Sequence, residues 1–471
     1  MLFNSNIFLY VFLPLLLIIY YFAFRCFKLS VKIGNNVILI FSLLFYICTG
    51  GLSVFILLGV VILNYICAIL MAYIPKLKKL IFIFGIGSNI GILLYYKYIG
   101  FLYDNYISIL KYFTLNTEIN PVINVVLPIG ISFYIFQAMS YIIDVYRQEV
   151  AVQYSLVKFT LYIALFPQLV AGPIVRYSTV CAEIENREIT TNDVYEGACR
   201  FIFGLGKKVL IADILGTAVD SIWVANGLSV KLTWSAVFLY TLQIYFDFSG
   251  YSDMAIGIGR LLGFHFQENF MLPYTASNIT DFWKKWHISL SSFLKDYLYI
   301  PLGGNRRGAL RTYINLVIVF FICGLWHGAE WSFVVWGLYH GFFLVIERIL
   351  KNKFGFRMTG ICGRAITFFI VMLGWVFFRA DSIEDALRIF AIMGGRENIE
   401  VYQYYAYSYY IYPKIIITAV IAFATAFSPF SKMRDQLNKS YIKGIFAVIV
   451  LIVSMAFLAD ASFTPFIYFQ F

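Results

Sequence analysis

Three of the four histidines in this 471-residue chain, His287, His327 and His340, fall within one stretch of a sequence that is 61% hydrophobic and only 13% charged. A titratable ring at membrane depth is expensive to bury and marks a functional-site candidate. His327 stands in CGLWHGAEW, just past the apolar run that ends at Leu325. A neutral imidazole, with an ordinary pKa of about 6.5, can take the proton of a hydroxyl that attacks an acyl carbon. The alternative is a buried histidine that donates to a backbone carbonyl and fastens two helices. His287, in DFWKKWHISLSSFLKDYLYIPLGGNRRG, is the candidate second catalytic or orienting ring. His340, on the following apolar segment, reads as a packing or supporting residue, and His265 in GFHFQENF as incidental.

The other reactive residue types are sparse. Seven cysteines without a CxxC spacing argue against a disulfide framework and against zinc, so no metal site is expected. Cys323 lies one helical turn before His327 and offers a thiolate alternative, weakened by apolar surroundings. Asp247 and Asp253 sit in an apolar region, where buried carboxylates need partners. They either hold a broken helix or line a tunnel. Arg176 follows AGPIV, and Arg306 and Arg307 follow PLGGN, with Arg311 close by. Guanidinium groups so placed either meet the phosphates of an anionic donor or anchor helix ends and headgroups. The HExxH, GxSxG, Walker and dinucleotide patterns do not occur where their folds would need them, so no permanently bound cofactor is expected.

Lipid sets the architecture that must position these groups. Apolar runs of spanning length recur from Ile7 to Leu458, which predicts an all-α polytopic membrane protein of about 11 to 13 spanning or re-entrant helices. Residues 1–471 read as a single polytopic domain, with the first run retained as a helix. The net charge of +11 gathers in short basic loops such as Arg25 to Lys32, Lys76 to Lys79 and Lys351 to Arg357. Such loops mark the cytoplasmic side and put the N-terminus outside; they point to topology rather than nucleic-acid binding. The run from Val37 to Tyr73 is expected to turn back at Gly50 and Gly51. Three segments, LPIGISFYIFQ, LFPQLVAGPIVRY and FDFSGYSDMAIGIG, are expected to be broken helices around a cavity or tunnel. Asp281 to Ile300 is expected to form one amphipathic helix, lying in the interface or lining a wet groove, with Trp286, Leu290, Leu294 and Tyr297 on one face and Lys284, His287, Ser291 and Lys295 on another. Ala380 to Tyr404 alternates in charge like a solvated helix and loop.

These stretches, together with SNIFLYVFLPLLLIIYY, NFMLPYTASNIT, GLWHGAEWSFVVWGLYHG and the terminal FTPFIYFQF, resemble the membrane-bound O-acyltransferase superfamily, within it the alginate O-acetyltransferase and peptidoglycan O-acetylation branch. The resemblance implies a helical enzyme with a central tunnel. It would carry an acetyl group from a cytoplasmic thioester, acetyl-CoA or a carrier-protein thioester, toward a surface polysaccharide. It implies His327 as general base and His287 as the second motif histidine, and a separate extracytoplasmic SGNH-type transferase as partner. Relatives that move D-alanine to teichoic acid share the FWxxWH and WHG elements, and a transporter whose histidines relay protons is the alternative from another class.

Overall fold

The computed structural model describes residues 1–26, 30–113, 125–170, 172–225, 229–396, 407–427, 441–460 and 466–467. Lys28, Val122, Glu397, Glu400, Lys432, Arg434, Lys439 and most of FTPFIYFQF lie outside them. The described residues form helices and connecting turns without strands, as a chain in lipid must if each backbone N–H and C=O is to be paired within its own segment. Six helical stretches among them are long and apolar enough to cross a membrane: Val31–Tyr73, Pro75–Phe113, Ala309–His327, Trp331–Phe354, Gly360–Arg379 and Tyr441–Ala459. Phe8–Phe22 and Pro413–Phe427 are shorter apolar helices. The all-α polytopic architecture is thus the observed one.

The chain divides into two compact units, residues 1–193 with 259–266, and residues 194–258 with 267–471. The first contains α1 (Leu13–Cys26), α2 (Val31–Gly50), α3 (Val54–Tyr73), α4 (Lys78–Leu93), α5 (Ile99–Phe113), α6 (Ile131–Arg147), α7 (Leu156–Ala164), α8 (Phe166–Leu169) and α9 (Tyr177–Glu185). Gly51, at φ 55°, ends α2 where the long apolar run was expected to turn. Gly130, at φ 73°, opens α6, and a Cβ there would lie 2.5 Å from the carbonyl oxygen of Leu169. LPIG and LFPQL therefore break as expected, and they break against one another. Asn64 and Asn89 tie α3 to α4 through reciprocal amide hydrogen bonds of 3.1 and 2.8 Å.

In the second unit, α10 (Thr191–Gly206) and α11 (Asp213–Trp223) precede α12 (Val230–Leu261). The third expected break does not occur: FDFSGYSDMAIGIG runs uninterrupted through the 32-residue α12. It contains no proline, and its glycines serve close approach instead. A Cβ on Gly250 would lie 2.8 Å from the Gly204 carbonyl oxygen, and one on Gly257 would lie 2.7 Å from that of Gly197. With α10 drawn against α12, buried charge is neutralised locally. Asp253 accepts from Arg200 at 2.6 Å and Lys207 at 2.6 Å, while Asp247 pairs with Lys208 at 2.6 Å. Both carboxylates thus have the partners that burial requires, and Asp247 also accepts the Ile467 backbone N–H at 2.8 Å.

The rest of this unit comprises α13 (Ile279–Lys285), α14 (Ile288–Leu294), α15 (Ala309–His327), α16 (Trp331–Phe354), α17 (Gly360–Arg379), α18 (Ile383–Met393), α19 (Tyr407–Tyr410), α20 (Pro413–Phe427) and α21 (Tyr441–Asp460). Ser382 caps α18 by accepting the Asp385 N–H at 3.0 Å, in the charged stretch expected to hold a solvated helix.

Candidate active site

The α15–α16 hairpin is built on glycine. A Cβ on Gly324 would lie 2.3 Å from the Phe333 carbonyl oxygen, and one on Gly337 would lie 2.2 Å from that of Phe320. The two backbones touch, so side chains near the turn converge. His327, the last residue of α15, is 2% exposed and enclosed by rings. Trp326 and Trp336 each lie 5.0 Å away between centroids, and Phe378 lies 5.4 Å away.

His287 reaches the same place by a different backbone device. The single amphipathic helix expected over Asp281 to Ile300 is interrupted at Trp286 and His287, with α13 before and α14 after. His287 has φ 45°, a left-handed conformation that is strained for a side chain of this size. The side-chain oxygen of Asn269 holds the break. It accepts the Ser289 N–H at 3.1 Å and the Ser289 hydroxyl at 2.9 Å, and lies 3.2 Å from His287 Nδ1. His287 therefore points inward, fully buried, instead of lining a solvated face. Its ring centroid is 6.4 Å from that of His327.

His340, on α16, is also fully buried and lies 5.2 Å from Trp336 and 5.1 Å from Trp283. Neither of its ring nitrogens has a hydrogen-bond partner among the described residues. His265 belongs to the first unit, where it bridges Glu183 at 2.8 Å and Asp193 at 3.3 Å.

Beside the imidazoles lies a cavity of about 770 Å³ whose more exposed lining, its mouth, carries the cations Lys284, Lys295, Arg348, Lys351 and Arg357 and the carboxylate Glu347, and whose buried lining includes Trp283 and Cys323. Its volume lies in the range of small-molecule sites. Arg306 and Arg307 are exposed on the turn before α15 and do not line it. Arg176 precedes α9 in the first unit. Of the cations at the mouth, Lys351 and Arg357 were legible as a topology signal and Lys284 and Lys295 as the polar face of a helix, because a lysine or arginine at a helix end looks the same whether it faces headgroups or a cavity.

The membrane-bound O-acyltransferase family model matches residues 143–380, which hold all four histidines. A probable alginate O-acetylase of Pseudomonas putida is 36% identical over 493 aligned residues, covering 100% of both chains. The chain belongs to the membrane-bound O-acyltransferase family. A peptidoglycan O-acetyltransferase of Helicobacter pylori is 33% identical, covering 100% of this chain and 98% of its own. A teichoic acid D-alanyltransferase of Bacillus subtilis is 26% identical over 55% of this chain and 70% of its own. This member of the family is a multi-pass membrane acyltransferase of the O-acetylating kind.

For an O-acyltransferase, the geometry around His287 has a direct chemical reading. The Asn269 atom facing the ring already accepts a backbone N–H, so it is the carbonyl oxygen, and Nδ1 of His287 must donate to it. In the neutral ring Nε2 is then the basic nitrogen.

Proposed function

We propose that the protein moves an acetyl group from a cytoplasmic thioester, acetyl-CoA in the simplest form, toward hydroxyl groups of a cell-surface polysaccharide. The observation that carries this reading is the pairing of His287 and His327, centroids 6.4 Å apart, beside a cavity with a cationic mouth. Lysine and arginine at that mouth suit the phosphates of coenzyme A, and the apolar walls suit its pantetheine arm.

In this reading His327 is the general base. It takes the proton of the acceptor hydroxyl as that oxygen attacks the thioester carbon; the C–O bond forms, the C–S bond breaks, and the departing thiolate recovers a proton. His287, its tautomer set by Asn269, orients or polarises the reacting groups. The whole chain, residues 1–471, works as one polytopic unit of the bacterial cytoplasmic membrane. The attacking hydroxyl belongs to an extracytoplasmic SGNH-type transferase, which leaves as its acetyl ester and places the acetyl group on the sugar. Full-length likeness to the alginate and peptidoglycan acetylating relatives supports this acceptor class.

The test is the base-labile acyl content of surface polysaccharide from cells lacking the protein, complemented with wild type or His327→Ala. Acetate restored by wild type alone supports the proposal. D-alanine responding in its place moves the assignment to the teichoic-acid branch, toward which the Bacillus subtilis relative points.

A further inference from the structure

Trp283 stands between the cavity and the imidazoles. One side of its indole lines the cavity with Phe320 and Cys323, whereas His287, His327 and His340 do not line it. On the other side the ring meets His340 at 5.1 Å and Trp336 at 5.7 Å, and Trp336 in turn lies 5.0 Å from His327. The indole N–H, although buried, has no hydrogen-bond partner among the described residues. Packing alone holds the ring, chiefly the edge contact with Phe320 at 4.9 Å. Such a ring can turn without breaking a hydrogen bond.

Beyond Trp283 the neighbouring rings are buried. Trp336 and Trp375 are fully buried, and Phe378 is 2% exposed. An acyl group that leaves the cavity past the indole to reach His327 must fit among these rings. Two carbons require little room. Each further methylene needs volume that the aromatic packing does not offer, because protein interiors of this density yield little to insertion.

We infer that Trp283 is the partition between the cavity and the imidazoles, and that it restricts transfer to short acyl groups. The inference rests on the reading above, in which the thioester donor enters through this cavity.

Purified wild type, Trp283→Ala and Trp283→Phe are assayed with acetyl-, butanoyl- and octanoyl-coenzyme A, and kcat/KM is compared. Wild type is expected to prefer acetyl. Trp283→Ala is expected to raise the octanoyl-to-acetyl ratio at least tenfold, on the scale by which apolar pockets sort chain lengths, with Trp283→Phe intermediate. An unchanged ratio in a folded variant that still transfers acetyl overturns the inference. If the alanine variant does not fold, the phenylalanine variant decides. A second readout needs no donor: modification of His327 and His340 by diethyl pyrocarbonate, located by mass spectrometry, is expected to quicken about tenfold in Trp283→Ala. Equal modification rates overturn the partition. Failure of wild type to use any thioester, with modification still quickened, removes the donor reading and leaves the partition standing.

Discussion

The side-chain oxygen of Asn269 lies 3.2 Å from Nδ1 of His287, and the same oxygen accepts the Ser289 N–H, so one contact holds both the break in the chain and the tautomer of the ring. Asn269→Leu removes the acceptor and leaves the ring free to carry its proton on either nitrogen. Acetyl transfer is expected to fall by roughly 10- to 100-fold, the usual scale for losing a group that orients a working histidine. Asn269→Asp places a carboxylate beside the ring and favours the imidazolium. Its activity is expected to be depressed near pH 6 and to recover as pH rises toward 9, relative to wild type. Parallel pH–rate profiles for Asn269→Asp and wild type would remove the role assigned to this contact.

His327→Ala is expected to remain in the membrane fraction and to elute like wild type in detergent, while acetyl transfer drops by roughly 10² to 10⁴. His340→Ala is expected to cost much less, because the paired imidazoles assigned to the reaction are His287 and His327, 6.4 Å apart, whereas the His340 ring packs against Trp283 and Trp336. An equal loss in both variants would mean that the two imidazoles have been assigned the wrong roles.

The clasp around His265 predicts a pH dependence of stability. Burial works against the charged ring, but Glu183 and Asp193 outweigh it and raise its pKa above the ordinary value. Burial likewise opposes ionisation of Asp193, yet hydrogen bonds from Thr190, His265 and Arg260 hold its carboxyl below the usual range. The His265 contribution is therefore complete below about pH 6.5 and is lost as pH climbs through the raised value. The Asp193 contribution is present above about pH 3.9 and fades only as pH falls through its lowered value. The melting-temperature difference between wild type and His265→Gln is expected to be widest near pH 6 and to narrow toward pH 9. A difference that does not vary with pH would show that the clasp acts by shape alone.

Gly204 and Gly59 separate packing from helix propensity. A Cβ on Gly204 would stand 2.6 Å from the Gly250 carbonyl oxygen, whereas one on Gly59 would meet nothing within 4 Å. Gly204→Ala is expected to cost about 1–3 kcal/mol through overpacking. Gly59→Ala is expected to be neutral or to stabilise by up to about 1 kcal/mol, from helix propensity. Thermal unfolding in detergent compares them.

Helices and their apolar lengths were legible in the sequence because lipid leaves few alternatives, and the two proline-containing breaks were legible because proline removes a backbone donor. The run around Gly250 misled because a glycine that loosens a helix and one that admits a neighbouring backbone look the same in sequence. His287 was legible as a candidate but not in its placement. Its helical spacing fits the amphipathic pattern through Tyr297, and only Asn269, some distance away in sequence, decides that the helix stops there. A cavity was expected from the broken helices, but its lining was not legible: Lys284, Arg348 and Arg357 come from separate stretches that only tertiary packing brings to one mouth.

Asp247, paired with Lys208, also accepts the Ile467 N–H, which lies 220 positions further along the chain. During synthesis, the helices that bear this pair leave the ribosome long before its final hydrogen-bond donor. A nascent chain must therefore hold a partly satisfied buried carboxylate until residue 467 has been made, so insertion of the helices that bear the pair does not by itself complete this part of the protein.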